Sequence, residues 1–221
     1  MIYTFDENNK ELLLDETSDY QVMMEWEKPY MEALVDNLKP FGDVLEVGFG
    51  MGYSASAIQK YNINSHTIIE NNPEVIKKLK VWAKDQKHDV IIVEDSWHNA
   101  LSYLGKYDCF FFDDSPNKEI FNDLNDYRFF VFYYNILKNN VKIGSRLSWF
   151  CGDPGYFIVH PDIDYSVLEF DINIPDNSKY INDKIKNLQK MYLTLIEFRN
   201  GIVKDIVPVF LADNFKLLKL S

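Results

Sequence analysis

The chain has 221 residues, 47% hydrophobic and 15% aromatic, enough to bury one sizeable core, so one domain, or one domain with an appendage, is expected. Its 34 acidic residues outnumber 23 basic ones and give a net charge of −11, which opposes polyphosphates and anionic bilayers and argues against nucleic acid or membrane as a partner. No run reaches the roughly 18 apolar residues of a membrane span. The opening MIYTFDENNKELLLDE carries acids where a signal peptide carries lysines. Two cysteines, Cys109 and Cys151, are too few for a disulfide framework. These features point to a reduced, cytoplasmic interior, with monomer and homodimer both open.

In chain order, Ser18 and Gln21 read as a capping box that opens a helix, and Pro29 kinks or restarts it. Short apolar runs at Val44 to Val47, His66 to Ile69, Val90 to Val93, Cys109 to Phe112 and Leu147 to Cys151 read as strands. Between the second and third, Asn72-Pro73-Glu74 supplies a cap, a first-turn proline and a first-turn acid, and Val75, Leu79 and Trp82 repeat at helical spacing. Arg128 to Tyr134, RFFVFYY, reads as core packing. Toward the end come a strand-like YSVLEFDI, a polar helix at about 178 to 190, and MYLTLIEF and DIVPVFL about the turn Arg199-Asn200-Gly201. The last two are expected to pair as a closing hairpin. This rhythm predicts an α/β fold with a doubly wound, mostly parallel sheet and a C-terminal antiparallel hairpin, its ligand beyond the carboxyl ends of the strands.

The motifs fall at those ends. Gly48-Phe49-Gly50-Met51-Gly52 follows the first strand of the rhythm, and Glu46 precedes the turn. Glycines there let the backbone approach a ligand closely. A dinucleotide fingerprint would place its third glycine where Tyr53 stands. Glu70 ends the second strand, roughly 20 residues on, where a carboxylate accepts both hydroxyls of a ribose. Asp95 follows the third strand beside Trp97, placed to accept from an adenine amine while a ring covers the base. Together the three acids describe an adenosine site without a pyrophosphate. His98 reads as a helix-start residue, and no metal-ligand spacing occurs.

Here the chain resembles the class I S-adenosylmethionine methyltransferases, and more narrowly the guanidinoacetate N-methyltransferase family and its relatives that methylate arginine side chains. The resemblance rests on VMMEWEKPYM at 22 to 31, Leu-Glu-Val-Gly-Phe-Gly-Met from Leu45, Ile68-Ile69-Glu70, Ser96-Trp97, Tyr107-Asp108, and Asp113 with Pro116. It covers roughly residues 20 to 150. It implies a helical N-terminal lid over residues 1–40 and one S-adenosylmethionine-binding unit over 41–221. The implied cofactor site comprises Met23, Met31, Glu46, Gly48, Phe49, Gly50, Met51, Gly52, Glu70, Asn71, Asp95, Ser96, Trp97 and Asp113. Asp113 and Glu27 are implied as the catalytic pair, Asp113 accepting the proton and Glu27 holding the far side of a guanidine.

The chemistry makes two carboxylates reasonable. A guanidinium has a pKa above about 12, so the site must pair the cation, aim one nitrogen at the sulfonium methyl and accept the departing proton. The chain departs from the family at Asp113-Asp114-Ser115-Pro116, which adds an acid and removes a ring, and at Cys151-Gly152-Asp153-Pro154-Gly155, where the family receives a substrate carboxylate. Substrate contacts are expected from Glu27, Asp113, Asp114 and Gly152. Guanidinoacetate leads as the named small-molecule substrate, with a more cationic guanidine or amine as its rival. A non-catalytic S-adenosylmethionine binder and an NAD enzyme are the readings from other classes.

Overall fold

Alternation along the two central strands sorts the core into two layers. The computed structural model describes residues 1–16, 20–115, 125–152, 156–157, 161–175, 179–181, 188, 190–199 and 209–210. A seven-stranded sheet runs β10 (Ile163–Asp171), β11 (Lys190–Phe198), β8 (Val141–Trp149), β7 (Tyr107–Phe112), β4 (Gly42–Val47), β5 (Ile63–Ile69), β6 (Asp89–Val93). Its parallel part is β4, β5, β6, β7 and β8. Each overlaps an expected strand. In β4, Leu45 and Val47 join one apolar cluster and Val44 the other; in β7, Phe110 and Phe112 join the first and Cys109 and Phe111 the second. Side chains two apart share a face, so the continuous apolar runs are buried on both sides.

Helices α4 (Trp97–Ala100) and α5 (Asn125–Asn139) cover the first face with Trp97, Phe132, Tyr133 and Ile136. Helices α1 (Lys28–Leu38), α2 (Tyr53–Ile58) and α3 (Pro73–Trp82) cover the second with Tyr30, Leu34, Ile58 and Leu79. The cap of α3 forms as its sequence requires: the Asn72 side chain accepts from the N–H groups of Glu74 and Val75, at 3.0 and 3.3 Å. Cys109 is a buried core thiol. Among the described residues no helix is long and apolar enough to cross a membrane.

The N-terminal segment differs from the expected helical lid. Residues 1–24 carry an antiparallel meander, β1 (Ile2–Phe5), β2 (Glu11–Asp15) and β3 (Tyr20–Met24). Asp6 decides this locally: its carboxylate accepts from the N–H groups of Asn8 and Lys10, both at 2.8 Å, and Asn9 adopts φ 59°, which closes a turn between strands. Gln21 lies in β3 and so opens no helix; Ser18 lies outside the described residues. The helix begins at Lys28, after a 3-10 turn over Glu25–Glu27. Pro29 sits in its first turn, where no N–H is needed, so it starts the helix instead of kinking it.

At the other end the antiparallel pair is present with a different partner. β11 (Lys190–Phe198) pairs along its whole length with β10 (Ile163–Asp171), the YSVLEFDI segment, because these two present nine-residue apolar alternations in register. Most of DIVPVFL lies outside the described residues, and Val209–Phe210 (β12) pairs with Tyr156–Phe157 (β9). The polar helix expected at 178 to 190 falls largely outside them too.

Candidate active site

The chain order reverses about β4, which leads to β5 and β6 on one side and to β7 and β8 on the other. At that switch point a cleft opens beyond the carboxyl ends of the strands. Its floor is Gly48, Gly50, Glu70, Asn71, Asp113, Asp114 and Ser115, and its wall is Met1, Leu13, Val22 and Met23 from the meander. Backbone bonds join the three strand tips: Gly48 donates to the Ile69 carbonyl and Asp113 to the Val47 carbonyl, each at 3.0 Å.

Two glycines are required by this crowding. Gly48 has φ +83°, and a β-carbon on it would lie 2.0 Å from the Asp113 carbonyl oxygen. Gly50 has φ +51°, and a β-carbon there would lie 3.1 Å from the Met23 sulfur. The meander holds the turn from above: the Tyr3 hydroxyl donates to the Gly50 carbonyl at 2.6 Å, and the Met51 N–H points to the Met23 sulfur at 3.4 Å. Glu70 accepts from the N–H groups of Phe49, Asn71 and Asn72 at 3.1, 2.9 and 2.9 Å. Burial still raises its pKa, against the effect of those bonds. An acid fixed by three amides beside a glycine cradle suits a ribose and a backbone-hugging ligand tail, so the residues present fit the adenosyl cofactor.

Asp113 and Glu27 come together electrostatically. Desolvation, then the charges of Glu46, Asp114 and Glu70, push the Asp113 carboxyl up to about 7. Desolvation pushes Glu27 to about 8, with the Asp113 charge adding to the rise. Glu27 is 4% exposed, and one of its oxygens accepts from Met24 N–H at 2.8 Å and the Gln21 amide at 3.1 Å. Asp113 stands in the cleft, whereas Glu27 is seated at the start of α1. Tyr30, in the same electrostatic neighbourhood, accepts from Cys151 N–H and donates to the Tyr192 carbonyl, both at 2.9 Å, tying α1 to the end of β8 and to β11.

Of the other expected site residues, Met23, Gly48, Gly50, Asn71 and Asp114 line the cleft. Phe49, Met51 and Gly52 belong to the same turn, but the Phe49 ring packs against Gly52 and Trp82 in the core. Four residues face elsewhere, each for a local reason. Glu46 alternates with Leu45 and Val47 and therefore points into the α2 layer, fully buried between Ser54 and His66, 2.9 Å from the His66 ring. Met31 packs inside α1 with Leu34 and Val35, at 0% exposure. Asp95 closes the start of α4, its oxygens taken by Ser96 N–H, the Asn99 amide and the Tyr103 hydroxyl. Trp97 is a core ring of the α4 and α5 layer, edge-on to Phe112 and Phe132. Ser96 caps α4 through Asn99 N–H at 3.4 Å. Gly152 is half-buried beside Cys151, and Asp153 to Gly155 lie outside the described residues.

Two contributors are not evident from sequence. Tyr3 lies in a segment whose pattern suggests a lid. Arg128 heads the aromatic run, yet its guanidinium leaves the core and pairs with Asp114, 2.7 Å from Nε. A lone cation at the head of RFFVFYY is the available signal.

A family model described as guanidinoacetate N-methyltransferase matches residues 4–151, two thirds of the chain. The chain belongs to the guanidinoacetate N-methyltransferase family. The family is one of S-adenosylmethionine-dependent N-methyltransferases, and the glycine cradle and Glu70 described above are the parts of this chain that fit that cofactor. Among curated relatives, protein arginine N-methyltransferase 2 of Candida glabrata is 38% identical over 109 residues, covering 47% of this chain and 26% of the relative. The Saccharomyces cerevisiae protein of the same name is 28% identical over 158 residues, covering 68% and 37%. The chain thus spans about a quarter to two fifths of the length of these relatives. Solved structures of similar fold include spermidine synthase from Thermotoga maritima (TM-score 0.55, 14% identity, 92% of this chain and 73% of that one). The putative methyltransferase yhhF from Escherichia coli is another (TM-score 0.55, 13% identity, 90% and 96%).

Proposed function

We propose that the chain methylates a guanidino nitrogen using S-adenosylmethionine, with Asp113 as proton acceptor and Glu27 as the second carboxylate holding the guanidinium. The single observation that carries this reading is the pair of desolvated carboxyls, one at the tip of β7 in the cleft and one at the start of α1, close enough for the charge of one to raise the pKa of the other. When bound, the cofactor supplies an electrophilic methyl on a sulfonium. Glu70 would hold the ribose hydroxyls, and the Gly48 to Gly52 turn would give its backbone to the amino-acid tail. Asp113, ionised by the arriving cations, takes the proton that the guanidinium loses as its nitrogen is alkylated. Glu27 forks to the remaining N–H groups and sets which nitrogen faces the methyl. Tyr30 keeps α1, and so Glu27, in register with the sheet. The buried thiol of Cys109 accords with a reduced cytoplasmic setting.

Guanidinoacetate is the first substrate to test. An arginine side chain is the second, because the curated relatives carry the name protein arginine N-methyltransferase 2. Arg128 offsets the extra acid Asp114, so the added acid does not by itself disfavour the carboxylate of guanidinoacetate. Mass spectrometry after incubation with S-adenosylmethionine and guanidinoacetate, agmatine, arginine or an arginine-rich protein decides among them. One methylated guanidine is expected, with turnover falling by roughly 10²-fold or more in Asp113→Asn and Glu27→Gln. Absence of product from every substrate, with cofactor bound, would leave a non-catalytic binder.

A further inference from the structure

Asp114 is expected from sequence on the substrate side, and the structure adds where its carboxylate is anchored. Its anchors come from the α4 and α5 face of the sheet: Trp97 Nε1 donates at 2.8 Å and Arg128 Nε at 2.7 Å, and Arg128 Nη2 adds a third bond. Glu27 caps α1, which packs on the opposite face. All three donors converge on one oxygen, Oδ2, while Oδ1 takes no bond among the described residues, and the side chain lines the cleft. The Asp114 charge raises the pKa of Glu70, so it lies within electrostatic reach of the ribose-binding acid. Meanwhile Asp95, the acid expected to meet the adenine amine, has both oxygens engaged in its own helix cap.

We propose that Asp114 belongs to the cofactor half of the site, presenting Oδ1 as the acceptor for the exocyclic amine of the adenine ring. The inference rests on the S-adenosylmethionine reading of the cleft. Arg128 has a defined part in it. Its charge offsets the repulsion among Asp113, Asp114 and Glu70, and its grip on Oδ2 sets the direction of the free oxygen. A carboxylate held at one oxygen by three donors is a preorganised acceptor at the other. Trp97 then acts through its ring nitrogen while its ring remains in the core.

The test is calorimetric binding of S-adenosylhomocysteine and of its inosine counterpart, in which the amine is replaced by a carbonyl, to wild type, Asp114→Ala, Asp114→Asn and Glu70→Ala, with melting curves on each. Wild type is expected to prefer the adenosyl form by roughly tenfold or more, the worth of a hydrogen bond to a charged acceptor. Asp114→Ala should bind the adenosyl form about that much more weakly and lose the preference, and Glu70→Ala should weaken both ligands alike. If the alanine variant fails to fold, the isosteric Asp114→Asn carries the comparison, with the preference again reduced. Full preference retained in a folded Asp114 variant overturns the proposal and spares the methyltransferase reading. An Asp114 variant that raises the KM of the guanidine while binding S-adenosylhomocysteine normally overturns it in the same way. Failure of wild type to bind either ligand overturns both.

Discussion

Replacing Asp113 by asparagine should abolish catalysis and stabilise the protein at the same time. In the unfolded chain this carboxyl releases its proton near 3.8, and in the folded cleft near 7. The folded state therefore holds one more proton between those limits, so the group's contribution to stability is complete below about pH 4 and is lost as pH rises through 7. Three tenfold steps in proton affinity at about 1.4 kcal/mol each amount to about 4 kcal/mol lost by pH 8. That is an upper value, because the cleft side of the carboxyl meets water and relaxes when charged. Asparagine has the same shape and no such dependence. Urea unfolding of the ligand-free protein, followed by circular dichroism, should show wild type losing about 1.4 kcal/mol per pH unit relative to Asp113→Asn between pH 5 and 7. Asp113 loses its proton first, and its charge then raises Glu27, so a further decline in wild type continues toward pH 8. A difference between the two proteins that stays flat with pH would mean that Asp113 is ionised and well solvated in the fold, and the argument for a desolvated proton acceptor would fall.

Two other outcomes follow from the geometry. Gly48→Ala places a β-carbon 2.0 Å from the Asp113 carbonyl at φ +83°. The left-handed backbone alone costs about 1–2 kcal/mol, and the clash must part β4 from β7, so a melting temperature lowered by many degrees and no calorimetric signal for S-adenosylhomocysteine are expected; wild-type values for both would contradict the packing. Tyr3→Phe removes the 2.6 Å bond to the Gly50 carbonyl. Cofactor affinity should fall severalfold, about 1 kcal/mol, with kcat at saturating cofactor unchanged, and an unaltered dissociation constant would show that the meander does not hold the turn.

Much of the fold is legible because it is written in short-range periodicity. Each of the five parallel strands contains a short apolar run, and α3 carries its cap, proline and acid in three consecutive residues. Gly48, Gly50, Glu70 and Asp113 are legible as site residues because a strand end and a turn are local facts. The meander is not, since Ser18 and Gln21 satisfy a capping pattern that says nothing of the Asp6 turn or of the leucines that draw residues 11 to 15 against β3. Pro29 is recognisable as a breaker but not as a beginning, which depends on what precedes it.

Direction is what the sequence alone withheld. It determined that Glu46, Asp95, Trp97, Asp113 and Asp114 lie at strand ends or beside a glycine turn, because chain spacing fixes distance along the backbone. Only the packed structure decided that Glu46 turns to His66, that Asp95 spends its oxygens on α4, and that Arg128 reaches back to Asp114. Those choices are made by which face of a sheet a residue occupies and which neighbours arrive there from distant segments. Periodicity records the first only where alternation is unbroken, and it carries no record of the second.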